Sequence, residues 1–170
     1  MSYEASEVKT LVIATCVKEK RKGSHKAKDL YISDLFKKMR KYVETYNYDW
    51  RIISAKHGLI NPEYVIDSYE DESLDQFKLL QGKQTENLRA KKETLRNIID
   101  EQLRPVLVNY ERIILMCGKH YRDVILPLLE EKEVINYFKG TKGIGEIKQK
   151  LSSDIAKKKQ LPLDEYLTSA

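Results

Sequence analysis

The residues best suited to chemistry lie between Arg51 and Glu70, in the stretch RIISAKHGLINPEYVIDSYE. An apolar run breaks there into Ser54-Ala55-Lys56-His57-Gly58. Lys56 offers a point charge for phosphate, and His57 can donate, accept or shuttle a proton near neutral pH. Gly58 permits a turn at positive φ that would aim both inward. One turn later come Asp67, Tyr69 and Glu70. A carboxylate such as Asp67 can activate water or stabilise an oxocarbenium-like centre in cleavage at a glycosidic carbon. Tyr69 can stack on a base, a contact typically worth about 1–3 kcal/mol. Each reading has a plain rival. Lys56 and His57 fit a solvated loop, and Asp67 with Glu70 fits an acidic cluster ahead of a helix capped by Ser73 and beginning at Leu74.

Two further groups carry charge at similar places. Lys18, Lys20, Arg21, Lys22, Lys26 and Lys28 crowd the loop after Cys16, interrupted by Gly23 and Ser24. They can neutralise phosphates, with strong salt dependence. The glycines of a P-loop and its Gly-Lys-Ser/Thr ending are absent. Gly118, Lys119 and His120 follow Cys117 in the same way. Farther on, Lys142, Gly143 and Gly145 lie in KGTKGIGEIKQK, where a Gly-Ile-Gly turn opens a helix; free backbone N–H groups there attract phosphate. A tight turn with no ligand is the stronger reading of that segment taken alone. Cys16, like any lone cysteine after an apolar run, also reads as a small buried hydrophobe.

The elements that must position these groups are legible from periodicity. Lys9–Cys16 (KTLVIATC), Trp50–Ala55 and Glu111–Cys117 are short, continuous, β-branched runs, the pattern of buried parallel strands. Asp29–Tyr46 carries an i, i+3/i+4 apolar stripe with Lys and Arg opposite, an amphipathic helix. Asn61-Pro62 marks a turn. A long helix is expected from Thr85 to about Asn109, kinked or restarted at Pro105. His120–Leu129 reads as a helix interrupted or ended near Pro127, Val134–Phe138 as a fourth strand or strand remnant, and Glu146–Lys158 as the last helix, followed by a tail that is a loose extension or a small docking element. Gln81-Gly82-Lys83 weakens or ends the helix begun at Leu74. Alternating strands and helices give a three-layer α/β/α domain with a mostly parallel central sheet of about four strands. The crevice then lies over the strand ends at Cys16, Ala55 and Cys117.

Composition bounds the rest. The 170 residues, 41% hydrophobic and 34% charged, fit one domain spanning 1–170 with a core of ordinary size. A net charge of +5 and a pI near 9.0 make nucleic acid the foremost partner. Two cysteines provide neither zinc spacing nor a disulfide framework and suit a reducing interior. No secretory h-region opens the chain and no apolar run approaches a membrane span, so a cytoplasmic protein with no membrane partner is expected.

Taken in order, TCVKEKR, AKDLYISDLF, IISAKHGLINPEYVIDSYEDESL, ILMCGKHYRDVILPLL and FKGTKGIGEIKQKL resemble a family of prokaryotic and phage proteins with a Ser-Ala-Lys-x-Gly-Leu core. That family is distantly similar to the uracil-DNA glycosylase superfamily, to the core domain of archaeosine synthase and to the peroxide-stress protein YaaA. The match covers nearly the whole chain, with Ser54–Leu59 and Ala27–Phe36 its most specific parts. The last segment also looks somewhat like the hairpin of helix-hairpin-helix DNA binders, although what precedes it does not read as their first helix. The resemblance implies a three-layer α/β domain that binds nucleic acid or a modified base, and some relatives in the wider group act at the base–sugar bond; the first reading is therefore a glycosylase-type enzyme, DNA favoured over RNA, with no metal or cofactor required. Asp67 would take the carboxylate role, and His57 or Lys56 would steady the departing base or the phosphate. Cys16, Lys18, Arg21, Tyr31, Ser54, Gly58, Tyr69, Glu70, Gly118, Lys119 and His120 would line the substrate, with Lys142, Gly143 and Gly145 on phosphate. Removal of a modified base, in phage defence or base-modification metabolism, would fit. The Gly-Gln-Asp-Pro-Tyr and His-Pro-Ser motifs of uracil-DNA glycosylases are absent. Two other readings stand beside this one: a nucleic-acid-binding module without catalysis, and an enzyme of free nucleotides or nucleosides.

Overall fold

A computed structural model describes residues 8–16, 19–69 and 83–169. Lys18, Glu70, Ser73, the helix expected from Leu74 and the break at 81–82 lie outside the described residues.

Four parallel strands build the centre: β1 (Thr10–Thr15), β3 (Asp49–Ser54), β6 (Arg112–Met116) and β7 (Glu133–Asn136). A fifth, β4 (Gly58–Ile60), runs antiparallel on the β3 edge, giving the order β4-β3-β1-β6-β7. Register is fixed by which face each residue must bury. Val12 lies beside Trp50 and Ile114, and Ile13 beside Arg51 and Leu115. Even-numbered β1 residues Val12 and Ala14 pack against one helical layer, and odd-numbered Leu11 and Ile13 against the other. Both faces of the parallel strands are therefore apolar, which is why these strands read as continuous runs.

The first layer contains α1 (Ala27–Leu30), α2 (Asp34–Tyr46) and α5 (Ile144–Ser169). The second contains α3 (Lys83–Leu107) and α4 (Lys119–Ile125), the latter ending in a 3-10 turn over Leu126–Leu128 that includes Pro127. The three-layer α/β/α architecture expected from the sequence is the one observed, with four parallel strands and β4 added.

Several boundaries differ from expectation. The single helix expected over Asp29–Tyr46 is two. Tyr31 is extended at φ −85°, ψ 127°, and Ser33 starts a new helix by accepting the Phe36 N–H at 3.1 Å. Both pieces bury their stripe in the same layer, so periodicity did not reveal the break. The last helix starts two residues early, at Ile144, and continues to Ser169 where a loose tail was expected. Pro105 is accommodated within the last turn of α3. A small antiparallel pair, β2 (Ser24–Lys26) and β5 (Val65–Asp67), was not anticipated. It converts part of the basic loop into a strand and places Asp67 in a strand rather than in a cap.

Candidate functional site at the carboxyl edge of the sheet

Parallel strands put the residues after β1, β3, β6 and β7 on one edge of the sheet. The strand order changes direction between β1 and β6, the position where open α/β sheets leave a crevice. The loops on this edge contain most of the groups expected from the sequence.

The centre is Tyr69. Its hydroxyl shares hydrogen bonds with Tyr31 Oη at 2.6 Å and Ser54 Oγ at 3.1 Å. Ser54, fully buried at the end of β3, also accepts the backbone N–H groups of Lys56 and His57 at 3.1 and 3.2 Å. One serine thus shapes the turn and anchors the tyrosine. Tyr31 is buried behind Tyr69, and Cys16, half-buried after β1, lies beside both phenols. Burial pushes the Tyr69 phenol up to about 12, with the Cys16 sulfur as the second cause. The same causes hold Tyr31 well above the usual phenol range.

Cations gather over this ring. Lys20 Nζ lies 4.4 Å from the Tyr69 centroid and Lys56 Nζ 5.1 Å, within cation–π range, while the His57 ring meets Tyr69 edge-on at 5.1 Å. Lys20 is delivered by a local fold of the basic loop: Arg21 N–H donates to Leu30 O, and Ile32 N–H to Glu19 O, so residues 19–21 run antiparallel to 30–32. Three other cations of that loop have separate partners. Arg21 Nε donates to Asp29 O at 3.0 Å, and Lys26 and Lys28 pair with Glu63 at 3.3 and 2.6 Å.

The Lys56-His57-Gly58 turn is clamped from the α3 layer. Gln102 Oε1 accepts the Leu59 N–H at 2.6 Å, and its Nε2 donates to His57 O at 2.9 Å. Gly58 takes φ +73°, and a Cβ there would run into Gln102 and come within 2.9 Å of Ile98. Glycine at this position is therefore required twice, by conformation and by space. Beyond His57 opens a cavity of about 390 Å³, lined by Arg51, His57, Tyr64, Ile66, Gln102 and Val106 among others. His57 thus borders both the tyrosine cluster and the cavity.

The remaining expected residues are distributed around this centre. Asp67 ends β5, two residues before Tyr69, with an exposed carboxylate that accepts a hydrogen bond from Ser24 Oγ across the small sheet. Gly118 is the N-cap of α4, and Lys119 and His120 open its first turn on the β6 side of the same edge. Lys142, Gly143 and Gly145 are exposed after β7, also on this edge, and Gly143 takes φ +138° before α5 begins. Sequence reasoning missed two participants. Lys20 was one of six clustered cations with nothing to single it out, and Gln102 was a polar residue beside a buried helical stripe, the one signal that pointed to it. Among the described residues no group of His, Cys, Asp and Glu is arranged to hold a metal, and no helix is long and apolar enough to cross a membrane.

Fold and site together define an open-sheet α/β protein with a basic, tyrosine-centred site over its strand ends. The chain belongs to the Family of unknown function (DUF6884), whose model matches residues 11–153. It is also similar to the Uncharacterized protein YfjM of Bacillus subtilis (strain 168), with 26% identity over 161 residues that cover 91% of this chain and 100% of that protein. No solved structure matches it.

Proposed function

We propose that this chain is a nucleic-acid-acting N-glycosidase, a DNA glycosylase-like hydrolase that takes one base out of the stack and cleaves its bond to the sugar. The carrying observation is the convergence of Lys20 and Lys56 on the Tyr69 ring, beside the cavity that His57 borders. A phosphodiester strand calls for cations, and a base calls for aromatic surface and a recess to receive it. About 390 Å³ lies within the usual range for small-ligand sites. The lysines would hold the phosphates flanking the target, and the Gly143–Gly145 turn a phosphate farther along. His57 or Lys56 would steady the departing base, and the exposed Asp67 carboxylate would activate water or stabilise the sugar cation. Hydrolysis adds water across the C–N bond, leaving the free base and an abasic sugar. The resemblance to the uracil-DNA glycosylase superfamily and the archaeosine synthase core supports this reading by analogy. A cytoplasmic enzyme of base-modification metabolism or phage defence follows from it.

The test is incubation with DNA duplexes and single strands carrying a panel of modified bases, followed by alkali to cut abasic sites. Scission is expected with at least one base, and Asp67→Asn and Lys56→Ala should each reduce it about 100-fold or more. Unchanged cleavage by both variants would sink the residue assignment. The Ser24–Asp67 hydrogen bond favours a second reading, in which Asp67 clasps the small sheet and the protein binds nucleic acid without cutting it. Asp67→Asn would then lower stability, leave affinity unchanged, and no substrate would yield abasic sites.

A further inference from the structure

A second cavity, about 770 Å³, lies at the opposite, amino edge of the sheet. It opens between the start of β1, the α2–β3 turn, the start of β6 and α5. From Thr10 to Thr15, β1 alone separates the two edges by roughly 17 Å at 3.3 Å per residue. The proposed glycosidase chemistry uses none of its groups.

Its walls combine aromatic rings with positive charge. Tyr46 and Tyr48, both half-buried, stack at 5.4 Å with an interplanar angle of 17°. Lys9 reaches the cavity from just before β1, Arg112 from β6 and Lys158 from α5, and Lys158 Nζ lies 5.6 Å from the Tyr46 centroid. Against these three cations the lining has a single carboxylate, Asp49, which already receives the Tyr110 hydroxyl at 2.6 Å. Arg112 also meets Glu133, at 3.4 Å, outside the lining. The C-terminal end of α2 would ordinarily bring unpaired carbonyls and negative potential here. Two of those carbonyls, of Val43 and Glu44, receive the N–H groups of Tyr48 and Asn47, with Asn47 in the left-handed conformation at φ 57°. The lining itself holds three cations against one carboxylate, with Glu133 beside Arg112 and Asp154 beside Tyr46 just outside it, and its volume is within the range for small ligands.

We propose that this amino-edge cavity is a binding site for a mononucleotide, with the base against the Tyr46–Tyr48 wall and the phosphate among Lys9, Arg112 and Lys158. An aromatic ring alone would leave the lining's excess of cations over carboxylates unmatched, and an inorganic anion would leave the aromatic wall and most of the volume unused. A phosphate joined to a base through a sugar answers both.

Calorimetric titration of the full chain with AMP, adenosine and inorganic phosphate tests this. AMP should bind one per chain, and adenosine and phosphate each about ten-fold more weakly or worse. Lys158→Glu and Lys9→Glu, both at solvent-reached positions, should each weaken AMP about ten-fold, whereas Lys56→Ala at the far edge should change it less than about two-fold. Failure of AMP to bind at millimolar concentration would overturn the proposal. So would phosphate binding as tightly as AMP. Loss of AMP binding in Lys56→Ala, with both lysine-to-glutamate variants unaffected, would move the nucleotide to the carboxyl edge and equally refute it. None of these results depends on whether the chain cleaves DNA.

Discussion

Replacing Gln102 with alanine removes both hydrogen bonds that tie the Lys56-His57-Gly58 turn to α3. Leu59 is 9% exposed, so its N–H loses an acceptor where water has little access. An abandoned buried donor costs about 1–3 kcal/mol. The His57 carbonyl lies beside the open cavity and water can partly replace its donor, so its loss falls at about 1 kcal/mol. The sum is about 2–4 kcal/mol. With a urea m-value of about 2 kcal/mol/M, the middle of the usual range, the unfolding midpoint should fall by about 1–2 M. Gly58→Ala attacks the same junction from the other side, because its Cβ would displace the Gln102 amide. The double variant should therefore lose at least about 1 kcal/mol less than the sum of the singles. Urea unfolding of the four proteins, followed by circular dichroism, measures all of this. A Gln102→Ala loss below about 0.5 kcal/mol, or strict additivity with Gly58→Ala, would refute the clamp.

Two further outcomes follow from the charges and phenols. Burial raises Tyr69 and Tyr110 to about 12, and Tyr31 and Tyr137 higher still. A phenol near 10 in the unfolded chain binds its proton more tightly in the fold, so its stabilising contribution is complete below about pH 10 and disappears as pH rises through about 12. Phenolate absorbance from these groups should accordingly appear together with alkaline unfolding; their full titration near 10 with far-UV circular dichroism intact would contradict the packing. For single-stranded DNA, Lys20→Ala and Lys56→Ala should each reduce the salt slope of log affinity by about 0.7. Lys26→Ala and Lys28→Ala should reduce it less, because Glu63 already pairs with both. Equal effects from all four lysines would show that the strand meets a broad basic surface rather than the Tyr69 centre.

The sequence announced what is repetitive and local. Val12, Ile13, Ile52, Ile53, Ile114 and Leu115 are buried on both sheet faces, and that double burial makes a run of apolar residues unmistakable. It also brings the loops after Cys16, Ala55 and Cys117 to one edge without any knowledge of side chains. What stayed hidden depends on partners far along the chain. β2 and β5 are three residues each and exist only as a pair separated by about forty positions, so neither has a signature of its own. The clamp joins Gln102 to residues 43 and 45 positions earlier, and an amide side chain in a charged helix has nothing to distinguish it until the turn is beneath it. Ser33 did have a capping residue's identity, but the apolar stripe ran on across the break and masked it.

The bonds around Ser54 also impose a direction. Its oxygen has two lone pairs, and the N–H groups of Lys56 and His57 occupy both. Its own hydrogen is then left for a phenol oxygen, that of Tyr69 or that of Tyr31, and where Tyr69 accepts it Tyr69 turns its hydrogen towards Tyr31 or Cys16. The chain of hydroxyls is thus polarised by two backbone amides, much as a row of dominoes is set by the first one placed. Ser54→Ala would remove more than one bond: it would free the Tyr69 hydroxyl to reverse, and with it the sense in which the buried edge of the site offers protons or lone pairs to whatever meets that ring.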